Sequence, residues 1–278
     1  MVLGDLAGYV LFQPWPEGEP LVVRAHGDAG PAAAVGVDLA TAGGWDPEVT
    51  RWDPSTGRPR WSRRPFDGRV TALCGREGDL LVGGADRAGA AGAPHGPDRA
   101  PLGPGRVVSI DAEGTVSGAL AELSGEVLAL ACGPGWLAAL DGGPDPGVLV
   151  IDGGGEVLIP VTEPAGAALA SSGHELLISD GPELAAFDVR RRERRVVAAR
   201  PAARWSLGLV AIGDAILEAT AEGLVRWPDG EALAPIGRQP VALARHGESA
   251  LVLWPDGLLE ERDPSGALLR RREIAFES

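Results

Sequence analysis

The chain contains no lysine and no asparagine: all 25 of its basic residues are arginine. Without lysine there is neither a Walker A phosphate loop nor a Schiff-base amine, and no G-x-S-x-G nucleophile elbow occurs either. The commonest nucleotide and covalent chemistries are thereby excluded. No apolar run reaches the roughly 18 residues that a membrane-spanning helix requires. Cysteine is nearly absent, with only Cys74 and Cys132, too few for a secreted disulfide scaffold. The start, Met1-Val2-Leu3-Gly4-Asp5, has neither the basic nor the apolar region of a signal peptide, so a cytoplasmic location is expected. The formal net charge of −14 opposes any broad phosphate-neutralising surface, because nucleic-acid affinity comes from cations that release counterions.

What is abundant is alanine, glycine and arginine, a usage that fits a GC-rich bacterial genome. Apolar residues make up 45% and charged residues 23% of the 278 positions, enough for a packed core. Short runs of Val, Leu and Ile alternate with Gly, Asp and Pro turns, and no stretch keeps helical i, i+3, i+4, i+7 spacing. The chain reads as all-β.

One unit recurs. Six runs end at or near an aspartate: VTRWD at 49–53, VVSID at 107–111, VLVID at 148–152, LAAFD at 184–188, LVRWPD at 224–229 and LLEERD at 258–263. The aspartates are 58, 41, 36, 41 and 34 residues apart, against about 40 for a four-stranded propeller blade. The long step contains DRAGAAGAPHGPDRAPLGPG at 86–105, whose Gly, Ala and Pro content reads as a flexible inserted loop. Small-sided runs at 70–74, 126–132, 166–171, 207–212 and 241–245 suit the innermost strand of each blade. An earlier copy spans 31–64, with Trp52 and Trp61 on its third and fourth strands.

The expected architecture is therefore a single seven-bladed β-propeller over 1–278. Its seventh blade would be completed by pairing 274–277 with 1–6, a closure that removes exposed edges. Six blades with a loose tail is the alternative. A monomer is expected.

The phrase DPSTGRPRW at 53–61, echoed by DAEG at 111–114 and DPSG at 263–266, resembles the pyrroloquinoline-quinone-like and WD-repeat propeller families over most of the chain. In D-x-x-G the Asp accepts backbone hydrogen bonds and the Gly adopts positive φ. Quinone-dependent dehydrogenases hold their cofactor and calcium with residues that include Asn and Lys, and gluconolactonase-type propellers hold a divalent metal with Asn among its ligands. Lacking these residue types, the chain is expected to carry no cofactor and no metal. In size and style it resembles the stand-alone bacterial propellers that accompany MoxR-type AAA+ ATPases and von Willebrand A proteins. That resemblance implies a non-catalytic adaptor with a protein partner of one of those classes.

His26, His95, His174 and His246 fall outside metal-ligand spacing, and Cys74 and Cys132 read as buried thiols packing like alanine. Arg190, Arg191, Arg192, Arg194 and Arg195 crowd one turn, which reads as solvated. The Trp residues sit mostly at strand positions and suit packing between blades, Trp205 excepted. In a propeller, the loops from fourth to first strand and from second to third strand emerge on one face. Aromatic and Arg side chains anchor protein interfaces, so Phe66, Arg69, Arg204, Trp205 and Arg238 are the candidate interface. The competing reading is an enzyme or small-ligand binder, hydrolase- or lactonase-like, that holds Ca²⁺ with carboxylates such as Asp67, Asp141, Asp180 and Asp256.

Overall fold

A computed structural model describes residues 2–4, 9–12, 21–26, 30–43, 47–87, 102–200, 205–233 and 238–274. No α-helix occurs among them. Contacts divide the chain into two compact units, Met1–Leu149 and Val150–Ser278.

The first unit opens with a three-stranded sheet of β1 (Val2–Gly4), β2 (Tyr9–Phe12) and β3 (Leu21–Arg24). A four-stranded sheet follows, made of β4 (Ala32–Val35), β5 (Asp38–Ala42), β6 (Val49–Asp53) and β7 (Arg58–Arg63). Next come β8 (Arg69–Arg76), β9 (Asp79–Arg87), β10 (Leu102–Ile110) and β11 (Val116–Glu122), again one sheet. β12 (Val127–Gly133), β13 (Trp136–Asp141), β14 (Gly147–Asp152) and β15 (Gly155–Pro160) form another, with the unit boundary inside β14.

The second unit continues with a 3-10 turn at Pro164–Gly166. Its first sheet is β16 (Ala168–Ser172), β17 (Glu175–Asp180), β18 (Glu183–Asp188) and β19 (Glu193–Ala199). Two more follow: β20 (Ser206–Ile212), β21 (Ala215–Thr220), β22 (Gly223–Trp227) and β23 (Glu231–Ala232), then β24 (Ala242–His246), β25 (Ser249–Leu253), β26 (Leu258–Arg262) and β27 (Leu268–Glu273). Every four-stranded sheet is a meander in sequence order.

Burial explains the strand compositions. First strands pack on first strands of the next sheet, β4 on β8 and β8 on β12 in one unit, β16 on β20 and β20 on β24 in the other. Small side chains suit that crowding. Second strands are covered on both faces, so β5 and β13 are buried at every residue and read as unbroken apolar runs rather than as alternation. Sheets stack through clusters such as Val210, Ile212, Leu217 and Leu224 against Ala250, Val252 and Trp254. Fourth strands are mostly exposed, and β19 and β27 carry arginines there, which discourages pairing with foreign edges. The repeated turn has its expected chemistry. Asp111 Oδ1 accepts from the backbone N–H of Glu113 at 3.0 Å and of Thr115 at 2.7 Å. Gly114 and Gly266 sit at φ 86° and 83°, a region closed to most side chains. Hydrogen bonds, led by that from Thr115 for Asp111 and from Ser265 for Asp263, hold both carboxyls below their ordinary value.

Three expectations are corrected. The structure shows six four-stranded blades, not seven. Val2–Gly4 pairs with Tyr9–Phe12, while the Ile274 N–H donates to Gly257 O at 2.9 Å, ending the sixth blade on itself. Residues 275–278 lie outside the described residues. Second, the insertion at 86–105 is not loop at its ends, because Arg87 pairs with Leu102 and Ala85 with Gly105; 88–101 lie outside the described residues. Third, Cys74 and Cys132 are not separate thiols. They form a disulfide between β8 and β12, with Cα atoms 6.3 Å apart, within the span that a disulfide bridges.

Glu260, on β26 and 1% exposed, receives Arg262 at 2.7 Å and Arg271 at 2.9 Å. Burial pushes its carboxyl up, but the hydrogen bonds from Arg262 and Arg271 outweigh it and hold it below the ordinary 4.5. A depressed folded value adds stability above the unfolded value, and that contribution is lost as pH falls through the folded one. The stability advantage of the wild type over Glu260→Gln should therefore shrink steadily below about pH 4.5, read by urea unfolding at a series of pH values. A gap independent of pH would contradict the assignment.

Candidate functional site

The expected interface residues fall in both units. In Met1–Leu149, residues 64–68 lead from β7 into β8 and carry Phe66. It is 4% exposed and belongs to the core cluster with Val35, Val49, Val70 and Val82, so it is no surface anchor. The reason is Gly84 on β9. A Cβ there would come within 2.6 Å of the Phe66 ring, so the ring occupies the space that the missing side chain leaves. The Arg106 guanidinium lies 5.7 Å from the ring centroid and pairs with Asp86. Arg69 is half-buried and pairs with Glu126 at 3.2 Å. Arg204 lies outside the described residues.

In Val150–Ser278 the picture is different. Trp205 precedes β20 and is 62% exposed, its ring lying over Gly166, where a Cβ would come within 3.0 Å of Cδ1. Leu207, two residues on, is a bulge: Ser206 pairs with Thr220 and Gly208 with Ala219, leaving Leu207 with no partner across the ladder. It is 48% exposed. Bulges re-aim side chains at sheet rims, and the same offset recurs at Thr71 of β8 and Leu128 of β12. Val241, beside the start of β24, is 60% exposed. Because β20 packs on β24, Trp205, Leu207 and Val241 mark the same end of two adjoining innermost strands. Arg238 is held in place, its guanidinium 4.5 Å from the Trp254 ring centroid and 2.6 Å from Asp256 Oδ2.

Two buried polar relays that the sequence does not announce fix His26, ahead of β4, and Arg200, just after β19. His26 Nε2 lies 2.8 Å from Thr41 Oγ1, which also accepts the Trp52 indole N–H at 2.8 Å. In the second unit Arg200 plays the part of His26. Its Nη2 lies 3.1 Å from Glu218 Oε1, and Glu218 Oε2 accepts the Trp227 indole N–H at 2.8 Å. The registers match. Trp52 opposes Leu39 and Trp227 opposes Ile216, and in each case the acceptor stands two residues further along the second strand. A third-strand Trp with a polar residue on the facing strand, preceded by a loop His or Arg, is the signal that would have found them.

Two of the carboxylates proposed for Ca²⁺, Asp141 and Asp180, hold backbone instead. Asp141 accepts from Ser124 N, Ser124 Oγ, Gly125 N and Gly143 N at 2.8–2.9 Å. Asp180 does the same for Thr162 and Glu163. Asp256 pairs with Arg238, and the Asp67 N–H donates to Asp86. Among the described residues no three His, Cys, Asp or Glu side chains are placed to hold a metal ion. The arginine turn is likewise engaged with its own chain: Arg192 with Asp152, Arg194 with Glu183 and Arg195 with Glu175.

No family model matches the chain, and no curated protein matches it. Solved structures do. The chain is similar to the computationally designed Ika8 protein, at 18% identity and TM-score 0.65 over 98% of this chain and 83% of that one. It is similar to BamB from Moraxella catarrhalis, at 15% identity and TM-score 0.58 over 98% and 82%. A third likeness is to the β-propeller domain of Myceliophteria thermophila Cps50 (Swd1), at 17% identity and TM-score 0.58 over 86% and 83%. These likenesses show the fold: a β-propeller of four-stranded blades.

Proposed function

We propose that the chain is a non-catalytic scaffold of the cytoplasm that docks a protein partner through the loop face of its second unit. The observation that carries this reading is Trp205, a large aromatic left 62% exposed at the entry to β20, with its ring set over Gly166. A rigid base with an exposed aromatic is how interface anchors are built, because little side-chain entropy is lost on docking. Exposed Leu207 and Val241 extend the apolar surface, and Arg238, already fixed over Trp254, offers a charge at its edge. Of the carboxylates that an enzymatic reading would use, Asp141, Asp180 and Asp256 are engaged with backbone or arginine, so the calcium-dependent alternative draws no support from those three. The resemblance of the repeats supplies the partner class, an AAA+ ATPase or a von Willebrand A protein.

The test is calorimetric titration of the purified chain with the MoxR-type ATPase and the von Willebrand A protein of the same organism. Trp205→Ala should weaken binding at least tenfold, about 1.4 kcal/mol or more, while leaving the melting temperature within a degree or two. Wild-type binding that Trp205→Ala leaves intact would remove the loop face as the site. Absence of any binding would remove the partner class.

A further inference from the structure

The seam between β8 and β12 is fastened at three heights. At one end Arg69 pairs with Glu126 at 3.2 Å. Next, the Thr71 hydroxyl, on the bulge of β8, donates to Val127 O. At the other end stands the disulfide of Cys74 and Cys132, the chain's only two cysteines, closing a separation of 58 residues. Cys74 neighbours Gly75, whose backbone presses on Ala34 of β4, so the disulfide lies where three innermost strands meet. It joins two different blades, and apart from it only side-chain contacts and packing hold the two strands together here. Opening it frees the far end of the seam while the Arg69–Glu126 end stays fastened.

We propose that Cys74 and Cys132 form a reversible thiol–disulfide latch, so that the redox state of the surroundings sets how rigidly these two blades are joined. Thiols are kept reduced in the cytoplasm; there the latch is open at rest and closes under oxidation. The closing chemistry is exchange with a small disulfide such as oxidised glutathione. The thiol of Cys74, the less buried of the two, loses its proton to solvent, and the resulting thiolate attacks one glutathione sulfur and expels glutathione thiolate. The Cys132 thiolate, likewise deprotonated, then attacks Cys74 Sγ in the mixed disulfide and expels the second glutathione. The two protein thiols lose two electrons and two protons in all, and one glutathione disulfide is reduced to two thiols. Dithiothreitol reverses both steps.

The experiment uses the full chain, equilibrated with oxidised glutathione or with dithiothreitol, then denatured and alkylated so that mass reports the free thiols. None is expected after oxidation and two after reduction. Amide exchange over 69–76 and 127–133 should be at least tenfold faster in the reduced protein, with 168–172 unchanged. The reduced form should also melt several degrees lower, about 4 °C or more. Cys74→Ser with Cys132→Ser should show no dependence on dithiothreitol. If that variant does not fold, the wild-type comparison decides alone. Two alkylatable thiols persisting after oxidised glutathione, or identical exchange and melting in both states, overturns the latch.

Discussion

Glu218→Ala is expected to cost the second unit roughly 3–5 kcal/mol, read as a lower urea midpoint for Val150–Ser278. Glu218 and Arg200 have side chains with no solvent exposure, so neither charge has water to fall back on once its partner is gone. Three groups lose their acceptor together: the Arg200 guanidinium at 3.1 Å, the Ser179 hydroxyl at 2.8 Å and the Trp227 indole at 2.8 Å. Removing one partner of a buried pair leaves the other charge uncompensated, which is why the loss exceeds what the intact pair contributes. Glu218→Gln can keep the indole hydrogen bond but not the charge balance, and it should fall between wild type and Glu218→Ala. Arg195→Ala breaks a pair of similar length, Arg195 with Glu175 at 2.8 Å, but the arginine there is 59% exposed. That change should cost at most about 1 kcal/mol. Equal losses from the buried and the exposed variants would show that Glu218 is not sealed from water.

Gly75→Ala should lower the stability of the first unit by about 3 kcal/mol, at the upper end of ordinary overpacking. A Cβ on Gly75 would lie 1.8 Å from Ala34 O and 2.9 Å from its carbonyl carbon. Both are backbone atoms, so no rotamer relieves the overlap; β4 must move off β8, and with it the packing of Val35, Val70 and Val82 in the shared core. Gly118→Ala supplies the contrast. It lies on exposed β11 with nothing within 4 Å of its Cβ position, so the change should be neutral or stabilise by up to about 1 kcal/mol. Chemical unfolding of the two variants checks the pair, and similar values for both would contradict the close approach of β4 to β8.

Much of the fold was legible because its information is local. VTRWD at 49–53 coincides with β6 (Val49–Asp53), and the other five repeated runs fall on third strands to within a few residues. Period, apolar runs and Asp-x-x-Gly turns involve residues a few positions apart, and the chain obeys them whatever surrounds it. The site was less legible. Trp205 faces solvent as its loop position suggests, whereas Phe66, on an equivalent connection, is buried because a glycine on a neighbouring strand makes room for it. Arg69 and Arg238 read as interface anchors in the sequence; the structure pairs them with Glu126 and Asp256, which stand 57 and 18 residues away.

The sequence by itself determined an acidic, lysine-free, all-β chain of repeated four-stranded units, since composition and short-range patterning suffice for that. Only the tertiary structure decided that six units complete four strands, that Cys74 meets Cys132, and that Arg200 and Glu218 share one buried pair. Each of these depends on which residues distant in the chain come to lie side by side, and that follows from how strands pair and sheets pack rather than from any local pattern.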